Sequence, residues 1–255
     1  MTVIERRGLA PLLRWSFLRM GLNVKKLNAE GRLGDGREDA LADHVVAHAR
    51  RGDVEDVIGT IDDFARSQIF LMNVGDRKGE LLDAAVRRAQ PRLVLELGTY
   101  CGYSSLRMAR LLPPGGRIVS VEFSSDNAAV ARRVLEHAGV SDRVTVVVGH
   151  LGDGGATLHA LEVEHGFGQG VLDLLFVDHD KGAYLPDLER VLQRGWLHRG
   201  AIAVADNVRF PGAPEYRAYM AREQGRTWRT VEHPTYVEYQ KVIKDLVLES
   251  EYLGA

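Results

Sequence analysis

The chain has 255 residues, of which 45% are hydrophobic, and a formal net charge of −2 at neutral pH. This length and composition are enough for one large hydrophobic core, and the near-neutral charge argues against a nucleic acid as partner. The single cysteine, Cys101, excludes an intrachain disulfide, which is consistent with a reducing, cytoplasmic compartment.

Residues 1–34 differ from the rest of the chain, because they hold seven Lys or Arg and only two Glu, a net charge of +5. The apolar stretch at 9–24 is interrupted by Arg14 and Arg19, and it is too short and too charged to span a membrane. Two interpretations stay open: a basic amphipathic helix on a membrane surface, or an arm that packs on its own domain or on the second subunit of a dimer. The predicted organisation is therefore an N-terminal arm, 1–34, and a single domain, 35–255.

Helical patterns follow this arm. The spacing of apolar residues predicts a helix over 37–51, and a second helix that Asp53 caps and that ends near residue 67. A glycine-containing loop is predicted at 73–79. The next predicted helix, 80–88, ends before Pro91.

From residue 93 onward, strand and helix patterns alternate along the chain. Short, continuous apolar strands separated by helices indicate a parallel sheet with helices on both faces. The predicted strands cover 93–97, 118–121, 144–148, 171–177 and 201–205, and the predicted helices cover 104–112, 124–139, 156–164 and 184–193.

The C-terminal part breaks this alternation. Two apolar segments, 227–232 and 237–246, lie close together in sequence around His233-Pro234. We expect them to form an antiparallel hairpin at the edge of the sheet. The predicted fold class is therefore α/β, with a seven-stranded, mostly parallel sheet.

Two of the predicted strands end in polar residues that can bind a cation. Asp178 follows the strand at 171–177, and Asp206 and Asn207 follow the strand at 201–205. If these strands are neighbours, the three side chains meet at one edge of the sheet. Such oxygen ligands suit Mg²⁺, which binds one or two carboxylates and keeps positions open for water or substrate. These three residues are therefore the predicted metal ligands.

Lys181 lies three residues after Asp178. An ammonium beside a divalent cation loses its proton more readily, so Lys181 can act as a general base. The alternative is an ordinary salt bridge from Lys181 to Asp180 or Asp187.

A glycine-containing turn, Glu96-Leu-Gly-Thr-Tyr-Cys-Gly-Tyr-Ser104, joins a predicted strand to a predicted helix. It lets a ligand approach the backbone and offers free N–H groups to an anion. It has neither the three glycines of a dinucleotide site nor the Lys-Ser/Thr of a phosphate loop. Glu122 ends the next strand, twenty residues after Gly102, where a carboxylate typically binds ribose hydroxyls. Ribose recognition without a pyrophosphate site indicates S-adenosylmethionine as the cofactor.

Six motifs carry a family likeness that runs from about residue 34 to the C-terminus. They are Met72-Asn-Val-Gly-Asp-Arg-Lys-Gly79, Leu95-Glu-Leu-Gly-Thr-Tyr-Cys-Gly-Tyr-Ser104, Asp178-His-Asp-Lys181, Ala205-Asp-Asn-Val208, Pro211-Gly-Ala-Pro214 and Val237-Glu-Tyr239. Together they resemble the catechol O-methyltransferases. This resemblance implies a Rossmann-like methyltransferase fold and the Mg²⁺-dependent transfer of a methyl group from S-adenosylmethionine to one hydroxyl of a catechol.

The resemblance also implies a role for each matching position. Lys181 would be the general base, and Glu238 would bind the second catechol hydroxyl. The implied cofactor-binding residues are Met72, Val74, Glu96, Gly98, Tyr100, Tyr103, Ser104, Glu122, Phe123, Gly149, Asp178 and His179. The implied substrate-binding residues are Phe70, Met72, Asp178, Asp180, Lys181, Asn207, Pro211 and Glu238.

The chain departs from the family pattern around the two ligands. The family usually has tryptophan on either side of the catechol ring, where this chain has Phe70 and Asp180. Leu151-Gly152 replaces a Ser-Gln pair that touches the adenine. These changes affect the expected substrate and nucleotide affinity, and leave the metal ligands and the base intact.

Two other functions stay open. A caffeoyl-coenzyme A type of metal-dependent O-methyltransferase carries Asp-x-Asp-Lys, and would therefore explain Asp180. A non-catalytic nucleoside-binding protein could share the fold, although Asp178 and Lys181 are both present. The expected partner is a small-molecule catechol rather than a nucleic acid.

Overall fold

The computed structural model describes residue 32 and residues 34–254. The predicted basic arm therefore lies outside the described residues, apart from Arg32 and Gly34. Arg32 makes ion pairs with Asp39 and Asp126, at 2.7 and 3.2 Å. No helix within the described residues is both long and apolar enough to cross a membrane.

Within the described residues, one sheet of seven strands forms the centre of the fold. The strands are β1 Leu93–Leu97, β2 Arg117–Glu122, β3 Val144–Val148, β4 Leu172–Val177, β5 Leu197–Ala205, β6 Trp228–Tyr236 and β7 Lys244–Tyr252. Their order is β3-β2-β1-β4-β5-β7-β6. Strands β1 to β5 are parallel, and β7 runs antiparallel to both β5 and β6. This topology confirms the predicted fold class.

The helices lie on both faces of the sheet. They are α1 Arg37–His48, α2 Val54–Ser67, α3 Gly75–Ala89, α4 Tyr103–Ala109, α5 Ser125–His137, α6 Ala156–His165, α7 Tyr184–Gln193 and α8 Pro214–Arg222. A 3₁₀ turn covers Lys181–Ala183, and a π-type turn covers Val208–Gly212. Asp53 caps α2 as predicted, because its carboxylate accepts a hydrogen bond from Asp56 N at 3.1 Å.

Alternating strand residues fill two hydrophobic cores. Val94 and Phe176 join the core covered by α1 to α5, whereas Leu95 and Leu175 join the core covered by α6 to α8. Each fully buried side chain of this size contributes roughly 1.5–3 kcal/mol to stability. Burial on both faces explains why the central strands are continuously apolar in sequence.

Three elements differ from the sequence-based expectations. The hairpin is shifted: His233 and Pro234 lie inside β6 instead of at the turn, and the connection covers 237–243. Proline is tolerated in β6 because this strand forms the edge of the sheet. Helix α3 begins at Gly75, within the predicted loop. Helix α8, which has a proline in its first turn, was not predicted.

Candidate active site

The predicted metal site and the predicted cofactor turn lie at the same edge of the sheet, where the strand order reverses. After β1 the chain builds β2 and β3 on one side, and it returns to build β4 and β5 on the other. Ligands of open α/β sheets bind outside the carboxyl ends of strands at such a position. Gly98 has φ +100°, and a Cβ atom on it would lie 2.3 Å from Asp178 O. Only glycine therefore allows the turn after β1 to pack this closely on the end of β4.

The structure brings Asp178, Asp206 and Asn207 together at this edge. Val177 and Ala205 are paired in the register of β4 and β5, so the two aspartates follow directly after paired residues. Asn207 has φ +54°, in the left-handed region. The proximity expected from neighbouring strands is present, and the role of these side chains as metal ligands stays a prediction.

Lys78, on α3, lies in the middle of a carboxylate cluster. Its side chain is 2% exposed, and its Nζ lies 2.8 Å from Asp206 Oδ2 and 3.2 Å from Asp245 Oδ2. It also pairs with Glu238 Oε1. Burial alone lowers the pKa of Lys78, but attraction to these carboxylates raises it well above its usual value. Lys78 is therefore a permanent cation that holds three carboxylates together.

The cluster still carries an excess of negative charge. Burial raises the pKa of Asp206, and repulsion from Asp178, Glu238 and Asp245 raises it further, against the effect of Lys78. Asp206 Oδ1 accepts a hydrogen bond from Asn207 N at 2.7 Å. Asp206 Oδ2 is buried beside Lys78, but none of the described residues has a donor aligned with it for a hydrogen bond.

A second network fixes the side-chain amide of Asn207. Its Nδ2 donates to Asp245 Oδ2 at 2.9 Å and to Glu238 Oε1 at 3.1 Å. The other oxygen of Asp245 accepts from Phe210 N at 3.0 Å. Asp245 is 1% exposed. The sequence analysis assigned no role to Asp245 or Lys78. Asp245 could have been noticed because it is a charged residue within a predicted apolar strand.

The donor set fits a hard divalent cation. Four carboxylates share two ammonium groups, so the local charge is negative; the groups are Asp178, Asp206, Glu238, Asp245, Lys78 and Lys181. A buried carboxylate oxygen without an aligned donor, such as Asp206 Oδ2, suits a metal ligand. No three His, Cys, Asp or Glu side chains within 34–254 are arranged to hold a metal. The predicted set instead has two carboxylates and one amide.

Lys181 lies at the opening of this cluster. Its Nζ donates to Asp178 Oδ1 at 2.9 Å and to the Tyr184 hydroxyl at 2.5 Å. The Tyr184 hydroxyl in turn donates to Asp206 O at 2.9 Å. Burial raises the pKa of Tyr184 well above its usual value, so Tyr184 stays neutral. Lys181 therefore pairs with Asp178, and neither Asp180 nor Asp187 is its partner.

Glu238 occupies a different position from the one expected. It lies in the connection between β6 and β7, not in an edge strand, and its side chain is buried at 9% exposure. Its Oε1 pairs with Lys78 Nζ and accepts from Asn207 Nδ2. Glu238 therefore belongs to the same cluster as the predicted metal ligands, which is consistent with its implied contact to the catechol.

Glu96, in β1, supports the turn that follows this strand. This residue is completely buried, and its carboxylate accepts hydrogen bonds from the hydroxyls of Ser104 and Ser105. Burial raises the pKa of Glu96 to about 7, although the hydroxyl hydrogen bonds oppose this shift. Glu96 thus holds the first turn of α4, where a cofactor carboxylate is expected to bind.

Glu122 holds the same turn from the side. Its Oε2 accepts from Tyr100 N at 2.8 Å and from Thr99 N at 3.2 Å, and its Oε1 accepts from Ser124 N at 2.9 Å. Burial raises the pKa of Glu122 despite these hydrogen bonds. The carboxylate therefore lies at the end of β2, beside the turn after β1, and its role in ribose binding stays a prediction.

His179 lies between β4 and α7. Its Nε2 pairs with Asp187 Oδ2 at 2.8 Å, its ring stacks on Tyr184, and its buried Nδ1 has no partner among the described residues. Arg190 holds the other oxygen of Asp187 and lines a cavity of about 310 Å³ with Leu151 and Gly152. This cavity lies on the predicted adenine side, away from the carboxylate cluster.

The other predicted residues lie around these groups. Phe70 is 1% exposed. If its ring forms a wall of the catechol site, it does so from the protein interior. Asp180 is exposed and caps the 3₁₀ turn by accepting from Gly182 N at 3.1 Å. The remaining predicted positions differ in exposure. Met72 and Gly149 are half-buried, Val74 and Tyr103 are buried, and Phe123 and Pro211 are exposed.

Comparison with known proteins places this chain in a family. The O-methyltransferase family model matches residues 60–226. A "Probable O-methyltransferase" of Mycobacterium tuberculosis is 60% identical over 235 residues, covering 92% of this chain and 100% of the relative. Catechol O-methyltransferase B of Danio rerio is 42% identical over 218 residues, covering 86% of this chain and 80% of the relative.

A solved structure shows the same architecture. The O-methyltransferase TomG from Streptomyces achromogenes, in complex with SAM, superimposes with a TM-score of 0.63 at 25% identity, covering 77% of this chain and 89% of that chain. The fold and the site thus define a Rossmann-like O-methyltransferase. The chain belongs to the O-methyltransferase family.

Proposed function

We propose that this protein transfers a methyl group from S-adenosylmethionine to one hydroxyl of a catechol, with Mg²⁺ as metal and Lys181 as general base. One observation carries the proposal: Asp178, Asp206 and Asn207 lie at the ends of two neighbouring strands, and Lys181 Nζ lies 2.9 Å from Asp178. The similarity to catechol O-methyltransferase B supports the acceptor, and the similarity to a SAM complex supports the methyl donor.

The acceptor side of the site has the chemistry that a catechol requires. Asp178, Asp206 and Asn207 would hold Mg²⁺, which when bound lowers the pKa of coordinated hydroxyls and orients the ring. Glu238 then accepts a hydrogen bond from the hydroxyl that is not methylated. Phe70 and Pro211 would supply the apolar wall that the resemblance implies, which would keep water from the reacting oxygen.

Lys181 moves the proton in this mechanism. In its neutral form, its Nζ accepts the proton of the attacking hydroxyl. The oxygen–carbon bond then forms as the sulfur–carbon bond breaks, which gives a methyl ether and S-adenosylhomocysteine. Tyr184, which stays neutral, holds Lys181 in place by a 2.5 Å hydrogen bond. The proton remains on Lys181 until the product leaves.

The cofactor side of the site is built by the turn after β1. The start of α4, supported by Glu96, would bind the carboxylate of the methionine part, and Glu122 would bind the ribose hydroxyls. His179 would lie near the adenine. These groups orient the sulfonium methyl towards the acceptor, because alignment of the reacting atoms is a major source of rate enhancement.

The test is turnover of a substrate panel measured by mass spectrometry. Dopamine, caffeic acid, protocatechuic acid and caffeoyl-coenzyme A are each incubated with S-adenosylmethionine, in Mg²⁺ or in EDTA. Singly methylated product from free catechols, lost in EDTA, is the expected result. Product without any metal would refute the metal-dependent mechanism. Intact cofactor binding without turnover of any acceptor would favour a non-catalytic nucleoside-binding protein.

A variant pair tests the base. Lys181→Met should lower kcat by roughly 10²–10⁴-fold, while the Kd for S-adenosylmethionine stays within about twofold, because Lys181 is expected to contact the acceptor rather than the nucleotide. Lys244→Met, at an exposed lysine of β7, is the matched control and should leave both unchanged. Equal losses of turnover and of cofactor affinity in Lys181→Met would contradict the assignment.

A caffeoyl-coenzyme A type of acceptor is the second candidate, and Asp180 favours it. The local role of Asp180 as a cap of the 3₁₀ turn explains this residue without a special acceptor. Product from the thioester alone in the panel would select the second candidate.

A further inference from the structure

Asp245 lies where it can control the orientation of a predicted metal ligand. The residue is the second of β7 and is 1% exposed. Strand β7 runs antiparallel to β5, so the start of β7 reaches the edge where β4 and β5 end. The register pairs Ala205 with Leu248, which places Asp245 beyond the end of β5, beside Asn207.

The side-chain amide of Asn207 has one orientation that its surroundings allow. Two carboxylate oxygens, Asp245 Oδ2 and Glu238 Oε1, lie 2.9 and 3.1 Å from its Nδ2. The reversed amide would bring its carbonyl oxygen against these two carboxylate oxygens, which accept hydrogen bonds and donate none. The nitrogen therefore faces the carboxylates, and Oδ1 faces the opposite side, available to a cation.

Asp245 also fixes the backbone that carries Asn207. Its Oδ1 accepts from Phe210 N at 3.0 Å, in the turn Val208–Gly212. Its Oδ2 is held by Lys78 Nζ at 3.2 Å, so the carboxylate is itself anchored. One buried carboxylate thus binds the amide of Asn207, the turn after it and the cation of α3.

We infer that Asp245 is a positioning residue, which orients the oxygen of Asn207 towards the metal and holds the adjoining turn with Pro211 against the acceptor site. This inference rests on the proposed Mg²⁺-dependent function. Asp245 touches neither substrate nor metal in this role. Residues that orient a metal ligand typically change metal affinity by about 10–100-fold when they are replaced.

The test measures metal affinity apart from activity. Mn²⁺ replaces Mg²⁺ because both prefer oxygen ligands in octahedral geometry, and free Mn²⁺ is counted by electron paramagnetic resonance. We expect Asp245→Leu to bind Mn²⁺ about 10–100-fold more weakly than the wild type, with the Kd for S-adenosylmethionine unchanged. The Mn²⁺ affinity of Asp245→Asn should lie between those of the wild type and Asp245→Leu, because asparagine offers one acceptor oxygen to the three donors. If Asp245→Leu does not fold, Asp245→Asn decides: unchanged Mn²⁺ affinity overturns the inference.

A control on the same strand separates positioning from general stability. Ser250 is completely buried in β7, and its hydroxyl shares a 2.9 Å hydrogen bond with Thr230 Oγ1, away from the site. Ser250→Ala should lower the Tm and leave Mn²⁺ binding unchanged. Equal loss of Mn²⁺ affinity in Ser250→Ala and Asp245→Leu would overturn the inference, because it would show a purely structural effect.

Two further outcomes separate this inference from the proposed function. In nuclear magnetic resonance spectra, the side-chain amide signals of Asn207 should shift in Asp245→Leu. Signals that stay in place would overturn the inference, because they would show that Asp245 does not orient the amide. A wild type that binds Mn²⁺, with an Asp245→Leu variant that binds it equally well, overturns this inference alone. A wild type that binds no Mn²⁺ overturns the metal assignment itself and this inference with it.

Discussion

The buried carboxyl of Glu96 makes the stability of the protein depend on pH. Burial raises its pKa from 4.5 to about 7 in the folded state. A carboxyl with a raised pKa contributes stability that is fully present below pH 4.5 and is lost as the pH rises through 7. This rise in pKa corresponds to about 3 kcal/mol of folding free energy, which the wild type loses between pH 4.5 and pH 7.

Replacement by glutamine removes this dependence. Glu96→Gln keeps the shape, and its amide can still hydrogen-bond with the hydroxyls of Ser104 and Ser105. Relative to the wild type, the free energy of unfolding of Glu96→Gln should therefore rise by about 3 kcal/mol from pH 4.5 to pH 8. At pH 8 this gain corresponds to a Tm difference of roughly 6–12 °C for a protein of this size.

Urea unfolding provides the assay, because Trp196 and Trp228 are fully buried and report loss of the core by fluorescence. The wild type, Glu96→Gln and the exposed control Glu189→Gln are compared at pH 5, 6, 7 and 8. The control should follow the wild type at each pH. A difference between Glu96→Gln and the wild type that does not change with pH would refute the reasoning, since it would mean that Glu96 does not titrate in this range.

Two further predictions concern packing at the site. In EDTA, Lys78→Met should lower the free energy of unfolding by about 3–5 kcal/mol, because it leaves buried carboxylates without their cation. Calorimetry tests this prediction, with Lys244→Met as the control. An unchanged Tm would contradict it. Gly98→Ala should abolish S-adenosylmethionine binding in calorimetric titration, because its Cβ would lie 2.3 Å from Asp178 O; wild-type affinity would show that the turn tolerates a side chain.

The parts of the fold that sequence patterns predicted are those that depend on local signals. Continuous apolar runs located β4 and β5, and the residues directly after them, Asp178 and Asp206, had to lie together once the strands were neighbours. The hairpin was misplaced because Pro234 resembles a turn residue, although an edge strand accepts proline. Whether a proline lies at an edge depends on strand order, which no local pattern encodes.

The parts of the site that were missed depend on distant contacts. Lys78 lies in the motif Met72–Gly79, but its role appears only when α3 packs against the end of β5 and the start of β7. Glycines at 75 and 79 suggested a loop, whereas Gly79 lies within α3. Glycine is required there because a Cβ atom would lie 2.5 Å from the guanidinium of Arg107. Asp245 was missed for the same reason, since its partners lie more than thirty residues away in sequence.

Because β7 runs antiparallel to β5, the residues proposed for the methyl donor and those proposed for the acceptor come from different parts of the chain. In the proposed function, the segment through β2 would supply Glu96, Gly98 and Glu122 to the methyl donor, whereas the acceptor side would draw on the ends of β4 and β5 and on the hairpin. A hairpin that ran parallel to β5 would begin at the opposite edge and deliver neither Glu238 nor Asp245. In the proposed function, exchange of the segment after Ala205 would therefore change the part of the acceptor side that Asp206, Asn207 and Glu238 form, and would leave the predicted donor-binding residues before it unchanged.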